Sequence, residues 1–236
     1  MSKVGAVTGG IGDICYSIQI MRRLGIDKLF VKENYYPPGW GSMYTAVKPL
    51  LATQGIECFP TKGGDDFSIY EPGLQFDYDL DAWRCQPNRG RDHILLSMQH
   101  HWRCFDRNWR APWIKGIPTT TGYYSLVFYT WRWREGSKVD WKKVYAWIPR
   151  PVYFIGLPED HDLFEKEVGP IEWTPTQDLL EMANLIAGCR ALYCNQGVAL
   201  VIAQGLGKEY WCSFKPGKTN TMLYTPNEHN LNMIRL

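Results

Sequence analysis

Apolar and polar positions along this chain fall into short blocks whose period keeps changing. VGAV (4–7) is a brief apolar run, GGIGD (9–13) follows it, and ICYSIQIMRRLG (14–25) then places Ile14, Ile18 and Met21 at helical spacing before Gly25. That pattern predicts strand, glycine turn, helix. KLFVKE (28–33) reads as a second strand, MYTAVKPLLATQG (43–55) as a helix bent by Pro49, and IECF (56–59) as a third strand. FDYDLDAW (76–83) alternates acids with apolar groups, as a strand with Asp77, Asp79 and Asp81 on one face would. RDHILLSMQHHW (91–102) is helix-like.

The alternation resumes near residue 124. YSLVFYT (124–130), PVYFIG (151–156) and ALYC (191–194) read as strands. KVDWKKVYAWI (138–148), LPEDHDLFEKEVG (157–169), TPTQDLLEMANLIAGC (174–189) and the end of NQGVALVIAQGLGK (195–208) read as helices. In the third of these, Thr174 can cap, Pro175 suits the first helical position and Gln177 can close a capping box. Leu179, Met182, Ala183 and Ile186 then supply a buried stripe. Strands alternating with helices favour parallel sheets. Two such blocks in series predict two Rossmann-like α/β halves, residues 1–122 and 123–236.

Composition narrows the class. At 236 residues, with 45% hydrophobic and 21% charged positions, the chain can bury a core of ordinary size. No apolar stretch approaches the roughly 20 residues of a membrane span, and MSKVGAVTGG lacks the pattern of a signal peptide. The seven cysteines are scattered and contain no CxxC, which predicts free thiols in a reducing cytoplasm. The net charge of +2 hides an asymmetry. Residues 84–150 hold thirteen Lys/Arg against four Asp/Glu, together with seven of the eleven tryptophans. Basic residues interleaved with aromatics suit a polyanion that carries stackable rings.

Candidate chemistry gathers at strand-to-helix turns. GGIGD is not a dinucleotide fingerprint, because Cys15 stands where the third glycine of G-x-G-x-x-G belongs, and no Gly-Lys-Ser/Thr makes a P-loop. The turn can instead mount Asp13 at a helix start. The turn at Asn195–Gln196–Gly197 should aim free backbone N–H groups above the sheet edge, where phosphate binds. Asp77, Asp79 and Asp81 offer a competing metal site, and His100 and His101 a weaker acid–base pair whose side chains diverge on a helix.

FIGLPEDHDLFEKEVGPIEWTPTQDLLEMANLIAGCRALYCNQGVALVIAQGLGK (154–208) resembles the donor-binding half of the GT-B glycosyltransferases, above all the heptosyltransferase-like group and its phage and bacterial relatives. TWRWREGSKVDW (130–141) is similar to the basic, Trp-containing loop that opens that half, and GGIGD to the GDxL acceptor-side turn. The resemblance implies a GT-B arrangement of two halves and inverting, metal-independent transfer from a nucleotide sugar that is UDP-, ADP- or GDP-linked. It implies Asp13 as general base. For the donor it implies Arg132 and Arg134 on the diphosphate, Glu181 on the ribose, and Gly12, Asn195, Gln196 and Gly197 around the phosphates. NQGVAL replaces the heptosyltransferase DSGPMH, so Asn195 and Leu200 stand where that group has Asp and His. Phage-type relatives glycosylate hydroxymethylated pyrimidines, which makes DNA the leading acceptor, contacted by Arg103, Arg107, Trp109, Arg110 and Trp113. A lipopolysaccharide or capsule glycan is the alternative acceptor. A non-catalytic binder of nucleic acid or sugar nucleotide is the alternative class.

Overall fold

A computed structural model describes residues 2–7, 10–33, 40–62, 73–85, 93–133, 139–214, 221 and 227–231. The first block folds as β1 (Lys3–Val7), α1 (Ile11–Leu24), β2 (Ile26–Lys32), α2 (Met43–Thr53), β3 (Glu57–Thr61), β4 (Tyr78–Asp79) and α3 (Ile94–Trp102). Its sheet is parallel throughout, with strand order β3-β2-β1-β4. α1 stops where the periodicity stops, because Gly25 takes the left-handed conformation at φ 70° and closes the last turn. α2 starts at a capping box in which Ser42 and Thr45 exchange side-chain and backbone hydrogen bonds, and it carries Pro49 within it.

The second block runs β5 (Ser125–Phe128), α4 (Trp141–Trp147), β6 (Val152–Ile155), α5 (Pro158–Val168), β7 (Glu172–Trp173), α6 (Leu179–Gly188), β8 (Leu192–Asn195), α7 (Val198–Leu206), β9 (Tyr210–Ser213) and β10 (Glu228–Asn230). This sheet is also parallel, in the order β10-β9-β8-β5-β6-β7. Every residue of β5 and β8 is buried, as expected of central strands covered on both faces.

Local corrections have physical causes. α6 begins later than Thr174, because Asp178 is the cap: its carboxylate accepts from the amides of Leu180 and Glu181 at 2.8 and 2.9 Å. The Thr174 amide is already spent on the Phe154 carbonyl. The acid-alternating stretch forms only the two-residue β4 and then a 3₁₀ turn over Ala82–Cys85. Asp77 accepts from the Val4 amide, Asp79 from the Asp81 amide, and Asp81 pairs with Arg84. No group of three potential metal ligands occurs among the described residues. All seven cysteines are free thiols. No described helix is long and apolar enough to cross a membrane.

One apolar interior spans both blocks. Ile14, Ile18 and Met21 of α1 and Val47 and Leu51 of α2 belong to the same buried cluster as Met182 and Ile186 of α6 and Leu200 and Ile202 of α7. α1 packs on α7 and α2 on α6. The chain joining the blocks is laid into this interior. The Ile114 amide donates to Gly205, the Thr120 amide to Ala187, and the Arg22 guanidinium to the Trp113 carbonyl. Trp113 itself is 2% exposed, with its indole N–H on the Cys15 carbonyl at 2.9 Å. It is a core residue and offers no ring for an acceptor to stack on. Trp141 is likewise core, edge-on to Tyr129 at 5.6 Å in a second cluster beneath α4 and α5.

Candidate active site

The strand orders decide where a ligand can sit. In the first sheet the chain leaves β1 towards β2 and β3, then returns to lay β4 on the opposite side of β1. In the second it leaves β5 towards β6 and β7, then returns to lay β8 on the other side. Such reversals open a crevice at the carboxyl ends of the two diverging strands. The β1/β4 crevice is flanked by Asp13 and Arg84, and the β5/β8 crevice by Thr130 and Gln196. All four line one pocket of about 580 Å³, well within the range of small-molecule sites.

Asp13 occupies the third position of α1, after Gly10 as cap. Gly10 and Gly12 are not demanded by the backbone. Gly10 has φ −66°, and a Cβ on Gly12 would meet Val201 at an ordinary 3.5 Å. What fixes Asp13 is Arg84, which pairs with it through Nη2 while Nε donates to Asp81 at 3.1 Å. Burial pushes the Asp13 carboxyl above the ordinary carboxylate range and Asp81 pushes the same way; Arg84 and the Gly10 amide pull it back. Tyr16, one helical turn on, also lines the pocket and is held far above its usual pKa by burial.

The opposite wall belongs to the second sheet. Gln196 and Gly197 precede α7, whose first amides have no intrahelical acceptor and no side-chain cap. Gly197 is extended, at φ 170°, so its lack of a side chain serves packing: a Cβ there would fall 2.6 Å from the Phe128 ring. Asn195 does not face the ligand space. It is 1% exposed, accepting from the Thr130 amide at 3.0 Å and donating to the Thr130 carbonyl at 2.7 Å. Asp160 in the first turn of α5 accepts from the Trp131 amide at 3.1 Å. Burial raises its pKa, the Trp131 amide and Thr130 lower it, and Glu159 raises it again. Asn195 and Asp160 together pin the start of the short turn Trp131–Trp133, whose middle residue Arg132 lines the pocket.

The other expected site residues lie elsewhere. Glu181 is exposed on the first turn of α6, accepting from the Gln177 amide at 2.8 Å, and does not line the pocket. Arg134 lies outside the described residues. Arg103, Arg107 and Arg110 are exposed and none lines the pocket, while Trp109 is half-buried under Arg110, its ring 5.2 Å from that of His93, which lies 5.2 Å from the ring of the pocket residue Tyr16. Arg84, Thr130, Asp160 and Thr221 line the pocket without having been expected. Arg84 follows a strand end, a cue that the acid alternation before it masked, and Asp160 reads from sequence as an ordinary first-turn acid.

Two parallel α/β halves in series make a fold shared with glycosyltransferases of known structure. The chain is similar to the E. coli heptosyltransferase WaaC solved with ADP-2-deoxy-2-fluoro heptose, at 12% identity and TM-score 0.54, over 98% of this chain and 92% of that one. It is similar to the same enzyme solved with ADP, at 11% identity and TM-score 0.58, over 98% and 90%. A glycosyl transferase family 9 structure from Veillonella parvula matches at 11% identity and TM-score 0.58, over 97% and 85%. No family model matches the sequence. No curated protein matches it either.

Proposed function

We propose that this protein is a nucleotide-sugar-dependent glycosyltransferase, inverting and metal-independent, with residues 1–122 on the acceptor side and 123–236 on the donor side. The observation that carries the reading is one pocket shared by the two crevices, with the Asp13–Arg84 pair on one wall and Arg132, Asp160 and the first amides of α7 on the other. The acceptor hydroxyl oxygen bonds to the anomeric carbon while the bond from that carbon to the diphosphate breaks. The electron pair leaves on a phosphate oxygen, and the hydroxyl proton passes to Asp13. Arg132, Arg134 and the first amides of α7, next to Gln196 and Gly197, meet the charge that develops on the leaving diphosphate. That supply of positive charge is the reason a divalent cation is not needed. Asp160, the carboxylate on the donor wall, takes the ribose role expected of Glu181.

For the acceptor, a saccharide hydroxyl fits better than a DNA base. Trp113 is buried and none of arginines 103, 107 and 110 lines the pocket, which weakens the DNA reading. Two of the similar structures are of a heptosyltransferase, which favours a glycan and puts ADP-linked donors first among the UDP-, ADP- and GDP-sugars to be tried.

A thermal-shift screen of nucleotide sugars tests the donor, since a bound ligand stabilises by an amount that grows with the logarithm of its concentration relative to Kd. With the donor in hand, Asp13→Asn should lower turnover by roughly 10²–10⁴ and leave donor affinity little changed. Near-full turnover in that variant would remove Asp13 from the mechanism. Product mass on a glycan against hydroxymethylated DNA separates the acceptors.

A further inference from the structure

Arg84 is the ionised group in the pocket that the proposed reaction leaves without a task. Its side chain spans the β1/β4 crevice, joining the turn after β4 to the start of α1. Nη2 is on Asp13, Nε is on Asp81, and the guanidinium lies 5.0 Å from the centre of the buried Trp83 ring. Asp81 is 8% exposed, so this anchor is itself largely out of water. A lysine could neutralise Asp13, but only the forked guanidinium can hold both carboxylates at fixed angles.

We infer that Arg84 is the positioning residue for the general base: anchored by Asp81, it keeps the Asp13 carboxylate ionised and aimed into the pocket. The inference rests on the glycosyl-transfer reading for the word "base", although the hold itself is a property of the free protein. A half-buried carboxylate with no cation beside it is neutral over part of the working pH range and cannot take a proton there. Arg84 opposes that. The groups that face Asp13 are Arg84 and Asp81 from the β4 side and Tyr16 and Cys15 from α1; burial keeps both of the latter un-ionised near neutrality. Arg132 and Asp160 line the far wall of the same pocket. Arg84 is the cation in direct contact with Asp13, so its removal should move Asp13 in one direction only, upwards.

The test follows the Asp13 carboxyl by carbon NMR in ligand-free protein, assigned by its loss in Asp13→Asn, alongside the pH profile of kcat/KM. In Arg84→Gln the Asp13 midpoint and the acidic limb of the profile should rise together by about one to two pH units. Activity should then fall roughly 10–100-fold near the old limb and recover towards alkaline pH. Arg84→Lys, which keeps the charge, should hold the limb close to the wild-type position. An Arg84→Gln midpoint that does not move, or a rate lowered evenly at every pH, overturns the inference and makes Arg84 structural. If Arg84→Gln does not fold, the Arg84 guanidinium nitrogen signals of the wild type should shift with the Asp13 midpoint, and signals indifferent to that titration overturn the inference. Because the NMR arm needs no donor or acceptor, a moving midpoint without any detectable transfer counts against the glycosyl-transfer reading alone.

Discussion

Asn195→Ala tests whether the pocket wall at the end of β5 is built by a clamp beneath it. The wild-type side chain is 1% exposed and makes two hydrogen bonds to one residue, from the Thr130 amide at 3.0 Å and to the Thr130 carbonyl at 2.7 Å. Each such bond is worth about 1 kcal/mol net, and a backbone group left unpaired away from water costs about 1–3 kcal/mol. Thr130 is half-buried, so water can reach part of what is stranded. The loss should therefore be about 2–4 kcal/mol, read from urea unfolding. For a chain of this size that is a fall in melting temperature of roughly 4–16 °C. The functional loss is separate. Arg132 lies two residues beyond the clamp, and a displacement of about 1 Å can cost on the order of 10² in rate. Calorimetric titration with the nucleoside diphosphate from the donor screen should show weakened binding in the surviving folded fraction. Asn195→Asp keeps the acceptor for the amide, loses the donor to the carbonyl and buries a charge, so it should be no better than alanine. A variant within about 0.5 kcal/mol of wild type and with unchanged nucleotide affinity would refute the clamp, leaving Asp160 to hold the segment alone.

Two further outcomes follow from close contacts and buried groups. Gly197→Ala places a Cβ 2.6 Å from the Phe128 ring, a wall of the pocket, and should cost about 1–3 kcal/mol together with weaker nucleotide binding; a melting curve and affinity equal to wild type would mean that the ring turns aside freely. His93, the cap of α3, is held neutral in the fold, its pKa pushed down by burial from 6.5 to about 3. The unfolded chain takes up that proton near pH 6.5 and the folded one only near 3, so the stability owed to neutral His93 is full above pH 6.5 and is lost as pH falls towards 3. His93→Asn keeps a capping side chain and should flatten the stability curve between those limits; an unchanged acid slope by urea unfolding would rule His93 out as its source.

Much of this architecture is written locally. The α/β alternation, the apolar runs of β5 and β8 and the stripe of α6 are short-range patterns, and the turns holding Asp13, Gln196 and Gly197 are strand-to-helix junctions legible in a few residues. Arg84 and Asp160 become site residues only through pairing across the chain. Arg84 arrives because β4 pairs with β1 over a separation of more than 70 residues, and Asp160 because α5 returns over the end of β5. For Asn195 the position is readable and the role is not, since only the adjacency of β5 and β8 puts Thr130 within its reach. The tryptophans show the same limit. Nothing in the composition of residues 84–150 separates Trp109, half-buried beneath Arg110, from Trp113, sealed against α1. β10, with the sequence EHN, carries no apolar signal at all; it forms as an edge strand on β9, and His229 stacks on Trp211 with ring centres 4.0 Å apart.

The apolar interior shared by α1, α2, α6 and α7 bears on how the molecule moves and comes apart. Two domains joined by a hinge can open to admit a ligand, close over it, and melt in separate steps. Here the faces that would have to part are apolar, and the connecting chain is wedged between them, with Ile114 against Gly205 so closely that a Cβ there would lie 2.7 Å away. Neither half could be cut out and remain soluble, because each would carry off one side of a bare hydrophobic seam. That shared interior fixes the spacing between the two walls of the pocket. Unfolding should likewise be a single event, so that a ligand gripped by the second half slows hydrogen exchange deep in the first.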